Sequence, residues 1–269
     1  MTQPPPPRPQ RLPRLDAHQR HRLGGAFAAG ASAAEIYHSV RPGYPAEVIE
    51  VLAPDTGSRR ALDVGAGTGL LTDQLVQAGY EVTALEPAAE MLGVLRRRHP
   101  LLTTIEARVE DLPAHRDVVA EHSIDLVTCG QAWHWIIPEL GTQRLAEVLA
   151  PGGVLGIVEH QLDTSVPWVH RLSRIMHAGD VHPVEAPPQL GPGFSPPQRT
   201  GWHWEDSVTV PGLHALMATR SYHLRATETT REKMRANLDW YLLEHLGHAT
   251  DSVLQLPYIT SAWRSDLVS

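Results

Sequence analysis

The chain has 269 residues, 42% of them apolar, and a formal charge of −7 from 23 basic and 30 acidic side chains. That length allows one large domain with a substantial core or two small ones, one cysteine excludes a disulfide scaffold, and recurring apolar runs with 20% charged residues exclude a collagen-like or fully disordered chain. No run of about 18 apolar residues is present to span a bilayer, the acidic balance argues against a nucleic-acid partner, and the lone thiol suits a reducing compartment, read here as the cytoplasm.

Residues 1–22 stand apart. Pro4 to Pro7 precede Arg8, Arg11, Arg14, Arg20 and Arg22, with Asp16 as the acid among them. Such a stretch buries too little surface to offset its ordering entropy and reads as a mobile tail. A secretory signal is the sharper reading, but the following segment is alanine and glycine with Leu23 and Phe27 as its bulky members, a poor apolar core for export. Residues 23–269 read as one domain, with a core over 33–160 and a C-terminal part over 161–269.

Short helices are expected over 33–39 and 45–53, broken by Arg41-Pro42-Gly43-Tyr44-Pro45. Ala61 to Val64 reads as a buried strand entering a glycine turn. Leu71, Leu75 and Ala78 repeat at helical spacing up to Gly79. A strand over Val82 to Leu85, a helix over Ala88 to Arg98 and a weaker strand over Leu101 to Ile105 follow. Ile124 to Cys129 is a fourth strand, Leu145, Val148 and Leu149 mark a helix stopped by Pro151-Gly152-Gly153, and Val154 to Val158 is a fifth strand. Strands alternating with helices of this length imply right-handed crossovers and a parallel sheet covered on both faces.

The last third is less regular. The proline-rich segment 183–200 reads as a loop or lid, residues 228–246 as a helix, and Val253 to Thr260 as a last strand. Pro257 inside that strand points to an edge or a bulge. Trp202 and Trp204 alternate as on a strand face.

Asp63-Val64-Gly65-Ala66-Gly67-Thr68-Gly69 lies between a strand and a helix. Glycines there allow a sharp turn and a ligand's close approach, and the helix amides beyond present positive partial charge. Glu86 ends the next strand about 20 residues beyond Gly65, where a doubly wound fold places a carboxylate against ribose hydroxyls. The pair specifies an adenosine-type ligand. A nicotinamide dinucleotide prefers glycine or alanine where this chain has Leu70, and Asp63 would repel a pyrophosphate. S-adenosylmethionine is cationic and carries no phosphate, so it suits the acid.

Ala61-Leu62-Asp63-Val64-Gly65-Ala66-Gly67-Thr68-Gly69 resembles the first motif of class I S-adenosylmethionine-dependent methyltransferases, and the resemblance extends from about Tyr37 to about Arg264. It implies a doubly wound Rossmann-like α/β sheet, mostly parallel with an internal antiparallel last strand and helices on both faces. It also implies a ribose contact at Glu86-Pro87, Met91 near the adenine, and adenine-edge contacts at Val109 and Glu110. The segment from Gln131 and Ala132 to Trp135 would border cofactor and acceptor. Tyr37 and Arg41 would close over the methionine end. Tyr37 to Pro45, His134-Trp135, Thr219 to Tyr222 and Leu256-Pro257-Tyr258 resemble the type-11 branch similar to trans-aconitate methyltransferases. That branch commonly has Trp-Asn after the fifth strand, where this chain has Glu159-His160.

Methyl transfer from a sulfonium mainly needs alignment, and a general base is needed only when the acceptor must lose a proton. His134 is the first candidate base, against packing between Trp133 and Trp135; His160 is the second. Arg220 is a candidate for binding a carboxylate acceptor, against capping a helix end. No metal-site spacing appears among the sixteen histidines. The expected activity is methylation of a small-molecule acceptor, with O-methylation of a carboxylate foremost, by a monomer or homodimer without nucleic-acid or membrane partners. A nicotinamide-dependent oxidoreductase and a non-catalytic cofactor-binding protein are the alternatives.

Overall fold

The computed structural model describes residues 31–54, 57–178 and 185–268; the tail expected over 1–22 lies outside them. The helices are α1 (Ala31–Val40), α2 (Val48–Leu52), α3 (Leu70–Gln77), α4 (Ala89–Arg98), α5 (Pro138–Val148), α6 (Pro167–Met176), α7 (Val210–Ala218), α8 (Ser221–Arg225) and α9 (Glu228–Asp239). The strands are β1 (Arg60–Val64), β2 (Glu81–Leu85), β3 (Thr103–Ile105), β4 (Ile124–Gly130), β5 (Leu149–Leu162), β6 (Gln198–Thr209) and β7 (Val253–Asp266). They form one sheet in the order β3-β2-β1-β4-β5-β7-β6. β1 to β5 are mutually parallel, and β7 runs antiparallel to both neighbours.

The period-2 pattern of the strands sorts their side chains to two faces. Leu62, Val64, Val127, Cys129, Leu155 and Ile157 pack against Leu145 and Val148 of α5. Ala61, Leu126, Val154 and Val158 meet Leu52 of α2 and Leu71 and Leu75 of α3 on the other. Helices therefore cover both faces, and each fully buried leucine contributes about 1.5–3 kcal/mol. A further core forms where the sheet extends beyond the parallel strands: Leu162 and Tyr258 lie under Val169 and Leu172 of α6, Leu213 of α7 and Leu238 of α9. No helix among the described residues is long and apolar enough to cross a membrane.

Local signals explain most boundaries. α3 ends in a Schellman arrangement, with Gly79 N–H bonded to Val76 O and Tyr80 N–H to Leu75 O, both at 3.0 Å. Leu149, expected in a helix, instead takes extended geometry (φ −68°, ψ 133°) and starts β5 opposite Ile124. The next aligned pair is Leu126 with Val154, so Pro151-Gly152-Gly153 bulges out of a long strand as well as following a helix.

Pro257 is not at an edge: β7 is internal, between β5 and β6. Pro257 O accepts the Asp163 amide at 2.9 Å, so its carbonyl points toward β5, and an N–H would point the same way. β5 ends at Leu162, opposite Tyr258, so a missing donor there leaves no ladder acceptor unpaired. β6, which carries Trp202 and Trp204 half-buried on one face, is the edge strand on that side of the sheet, with β3 at the other. The stretch 185–197 packs down beside α5: Gln189 O accepts from Trp133 Nε1 (3.2 Å), and Gly191 N–H bonds Thr142 Oγ1 (3.1 Å).

Candidate functional site

The strand order reverses between β1 and β4, and a cleft opens there at the carboxyl ends of the strands, as it does in open α/β sheets generally. The turn after β1 is pinned to its neighbour, since Gly65 and Ala66 both donate their amides to Leu85 O, at 2.8 and 3.1 Å. Gly65 has φ +67°, and a Cβ on it would stand 2.4 Å from the Ala132 Cβ, so the crossing of this turn with the segment after β4 requires glycine.

Glu86 closes β2 with 8% exposure. Its Oε2 accepts from Gly67 N (2.9 Å) and its Oε1 from Ala88 N (2.8 Å). Burial raises its pKa and the two amides oppose the rise. Each oxygen keeps a lone pair, so an aimed carboxylate with acceptor capacity lines the cleft. Asp63 is 1% exposed and accepts from the Thr72 hydroxyl (2.6 Å) and the Thr128 hydroxyl (2.9 Å). Burial still lifts its pKa to about 6.

One wall carries Pro87, Met91, Val109 and Glu110, and Glu110 Oε1 accepts the Ile137 amide at 3.1 Å. The opposite end carries Tyr37, Arg41, Tyr44, Gln131, Ala132, Trp135 and His160. The Arg41 guanidinium lies 4.9 Å from the Tyr37 ring centre and donates to Thr219 O at 3.0 Å. Gln131 holds φ +55°, donates its amide to Val158 O (2.8 Å), and reaches His160 O through Nε2 (2.8 Å).

His160 stands among the rings of Tyr44 (5.1 Å), Tyr258 (5.6 Å) and Trp204 (6.4 Å). Its Nδ1 is buried without a hydrogen-bond partner among the described residues. Burial drives its pKa down to about 3, helped by the positive charges of Arg41 and Arg220. The ring is therefore neutral at physiological pH and a weak base.

Most of the residues expected here line the cleft, including Ala66 and Gly67. Three do not. Gly69 (φ +96°) makes room for α4, because a Cβ there would meet Leu95 Cδ1 at 2.4 Å. His134 is exposed and lies against Trp135, with ring centres 4.3 Å apart. Arg220 donates to Ala178 O at 3.3 Å and reaches the site through its charge on His160. Cys129 is fully buried.

Sequence reading missed Tyr44, whose hydroxyl sits above Gly130, where a Cβ would come within 2.6 Å of it. In the sequence its segment reads as a helix breaker and as part of the branch resemblance, without a role in the site. Among the described residues no cluster of three or more metal-ligating side chains forms.

The residues present fit a phosphate-free nucleoside: a carboxylate with free acceptor capacity, a backbone-lined turn that admits close approach, and a second acid that would repel a pyrophosphate.

Residues 62–157 match the methyltransferase domain family. An uncharacterized methyltransferase of Mycobacterium tuberculosis is 37% identical over 236 residues, covering 88% of this chain and 94% of that protein. An uncharacterized methyltransferase of Schizosaccharomyces pombe is 31% identical over 212 residues, covering 76% of this chain and 82% of that protein. The solved structure of a protein described as a type II methyltransferase, from Anaeromyxobacter dehalogenans, shares the fold with a TM-score of 0.56 and 23% identity, covering 84% of this chain and 97% of the other.

Proposed function

This chain belongs to the class I S-adenosylmethionine-dependent methyltransferases, and from that premise we propose that it methylates the carboxylate oxygen of a small-molecule acceptor. S-adenosylmethionine supplies a methyl group already activated by its sulfonium. In this reading Glu86 accepts hydrogen bonds from the ribose hydroxyls and Gly65, Ala66 and Gly67 form the turn beneath them. Pro87, Met91, Val109 and Glu110 border the adenine. Tyr37, Arg41, Asp63, Gln131 and Ala132 enclose the methionine end, where the buried charge of Asp63 favours the ammonium group. Trp135 and His160 face the acceptor.

The observation that carries the choice of acceptor is the absence, among the described residues lining the acceptor end of the cleft, of a free base poised near neutrality. His160 titrates at about 3, and both oxygens of Asp63 are engaged by threonine hydroxyls. A hydroxyl or ammonium acceptor would need a proton removed, whereas a carboxylate arrives as the nucleophile. Arg41 and Arg220 place positive charge beside His160, which draws an anion to that end and orients it. The chain's part in the reaction is then alignment and exclusion of water. His160 contributes an uncharged wall, and the positive charges of Arg41 at the cleft lining and of Arg220 outside it draw the anion to that end.

A panel of carboxylic acids, phenols and amines, read by formation of S-adenosylhomocysteine, tests the assignment. Turnover confined to carboxylates is expected; turnover of amines or phenols alone would contradict it. We infer a cytoplasmic location, which the lone buried thiol supports, and a monomer or homodimer.

A further inference from the structure

A second concave surface lies between α6 and α9 and shares no lining residue with the cleft. Tyr241, just beyond α9, donates its hydroxyl to Trp168 O near the start of α6 at 2.9 Å, so the end of one helix meets the beginning of the other. Facing walls of the groove carry His170, Arg171 and Arg174 from α6 with His177 just beyond its end, and Thr230 and Lys233 from α9. The α6 positions recur three and four apart and so share one face.

No carboxylate lines this groove among the described residues. Among the described residues Arg171, Arg174 and Lys233 make no ion pair; Arg171 instead sits 5.3 Å from the ring centres of both Trp240 and Tyr241. Of the α9 acids, Glu228 is engaged by Arg231 and Arg235 and Asp239 by His214, while Glu232 is exposed and does not line the groove. In a chain of net charge −7, three cations gathered with no carboxylate among the described lining residues repel one another, and a bound anion would relieve that cost. The donors stand on two facing walls, which suits a compact multivalent anion that bridges the helices. Guanidinium forks, an ammonium and a threonine hydroxyl match the several acceptor oxygens of a phosphate group.

We propose that the α6–α9 groove binds a phosphate-bearing small molecule of the diphosphate class, independently of the cofactor cleft and of the acceptor assigned above. The test is calorimetric titration of the full chain with inorganic diphosphate, at constant ionic strength and with the cleft saturated by S-adenosylhomocysteine. Arg174→Glu and Lys233→Glu serve as variants, because both side chains are exposed and make no ion pair among the described residues. Their S-adenosylhomocysteine affinity, unchanged from the parent, verifies folding. Saturable one-to-one binding that weakens at least tenfold in each variant is expected. Absence of saturable binding, or binding indifferent to both variants, would overturn the proposal. So would a labelled polyglutamate peptide or single-stranded oligonucleotide that binds through Arg174 and Lys233 and is not displaced by diphosphate, since the groove would then serve an acidic macromolecule.

Discussion

Glu86 takes its bonds from Gly67 and Ala88, both within 19 residues of it in the chain, whereas at the other end of the same cleft Arg41 bonds Thr219 across 178 residues and Tyr44 meets His160. The half of the cleft assigned to the cofactor is built from two strand ends and the turns that follow them. The half facing the methionine end and the acceptor is assembled from α1, the segment after it, β5, β6 and β7, brought together by the extension of the sheet. Backbone geometry dominates the first half, and side-chain identity dominates the second. Changes to the turns should therefore cost far more cofactor affinity than any change at the acceptor end.

The sharpest way to break that comparison is Gly65→Val. It adds a Cβ where the backbone holds φ +67° and the Ala132 Cβ stands 2.4 Å away, combining left-handed strain with overpacking, about 2–5 kcal/mol together. Calorimetry should show S-adenosylhomocysteine binding weakened about a hundredfold or more; a loss below tenfold would mean that the turn has slack.

Next in size are two effects of about tenfold. Arg220→Met should raise the KM for a carboxylate acceptor about tenfold while leaving cofactor affinity within about twofold, which separates the two halves kinetically. Equal losses in both would show that they act as one unit.

The other concerns Asp63, whose folded pKa of about 6 lies above its ordinary value of 3.8 because of burial. The sign follows from linkage. A raised folded pKa favours the protonated form, so the stability Asp63 lends to the ligand-free protein is complete below about pH 4 and is lost as pH rises through 6. The ligand's ammonium favours the ionised form, so affinity should rise with pH over the same range, about tenfold between pH 5 and 7.5. Asp63→Asn should flatten that dependence; a pH profile unchanged by the substitution would remove Asp63 from the methionine end.

The smallest expected effect is none: deletion of residues 1–22 should leave S-adenosylhomocysteine affinity unaltered, and a loss beyond about threefold, or about 0.7 kcal/mol, would make the tail part of the site.

This division also explains what could be read from the amino-acid sequence. The strands β1 to β5, the helices between them, and the pairing of the glycine turn with Glu86 were legible because each depends on spacing within about 25 residues. Gly69 was assigned to the right turn but the wrong neighbour, since only the packed position of Leu95 shows that it faces α4. Leu149 was misplaced because an apolar residue after a helix also suits a strand, and its pairing with Ile124 decides the matter. Pro257 suggested an edge because sequence does not show where β5 ends. Tyr44, Trp204 and Tyr258 carry no local mark of a shared site, and they meet around His160 only once β7 lies between β5 and β6.

The central claim is that Glu86 receives the cofactor's ribose. Calorimetric titration of the parent protein and Glu86→Ala with S-adenosylhomocysteine and with its analogue lacking both ribose hydroxyls tests it most directly. The account predicts that loss of the hydroxyls weakens binding to the parent at least tenfold, about 1.4 kcal/mol. In Glu86→Ala, already weakened by a similar factor, the same loss should cost less than about threefold. An equal penalty in both proteins would contradict it, because the hydroxyls would then be held by something other than this carboxylate.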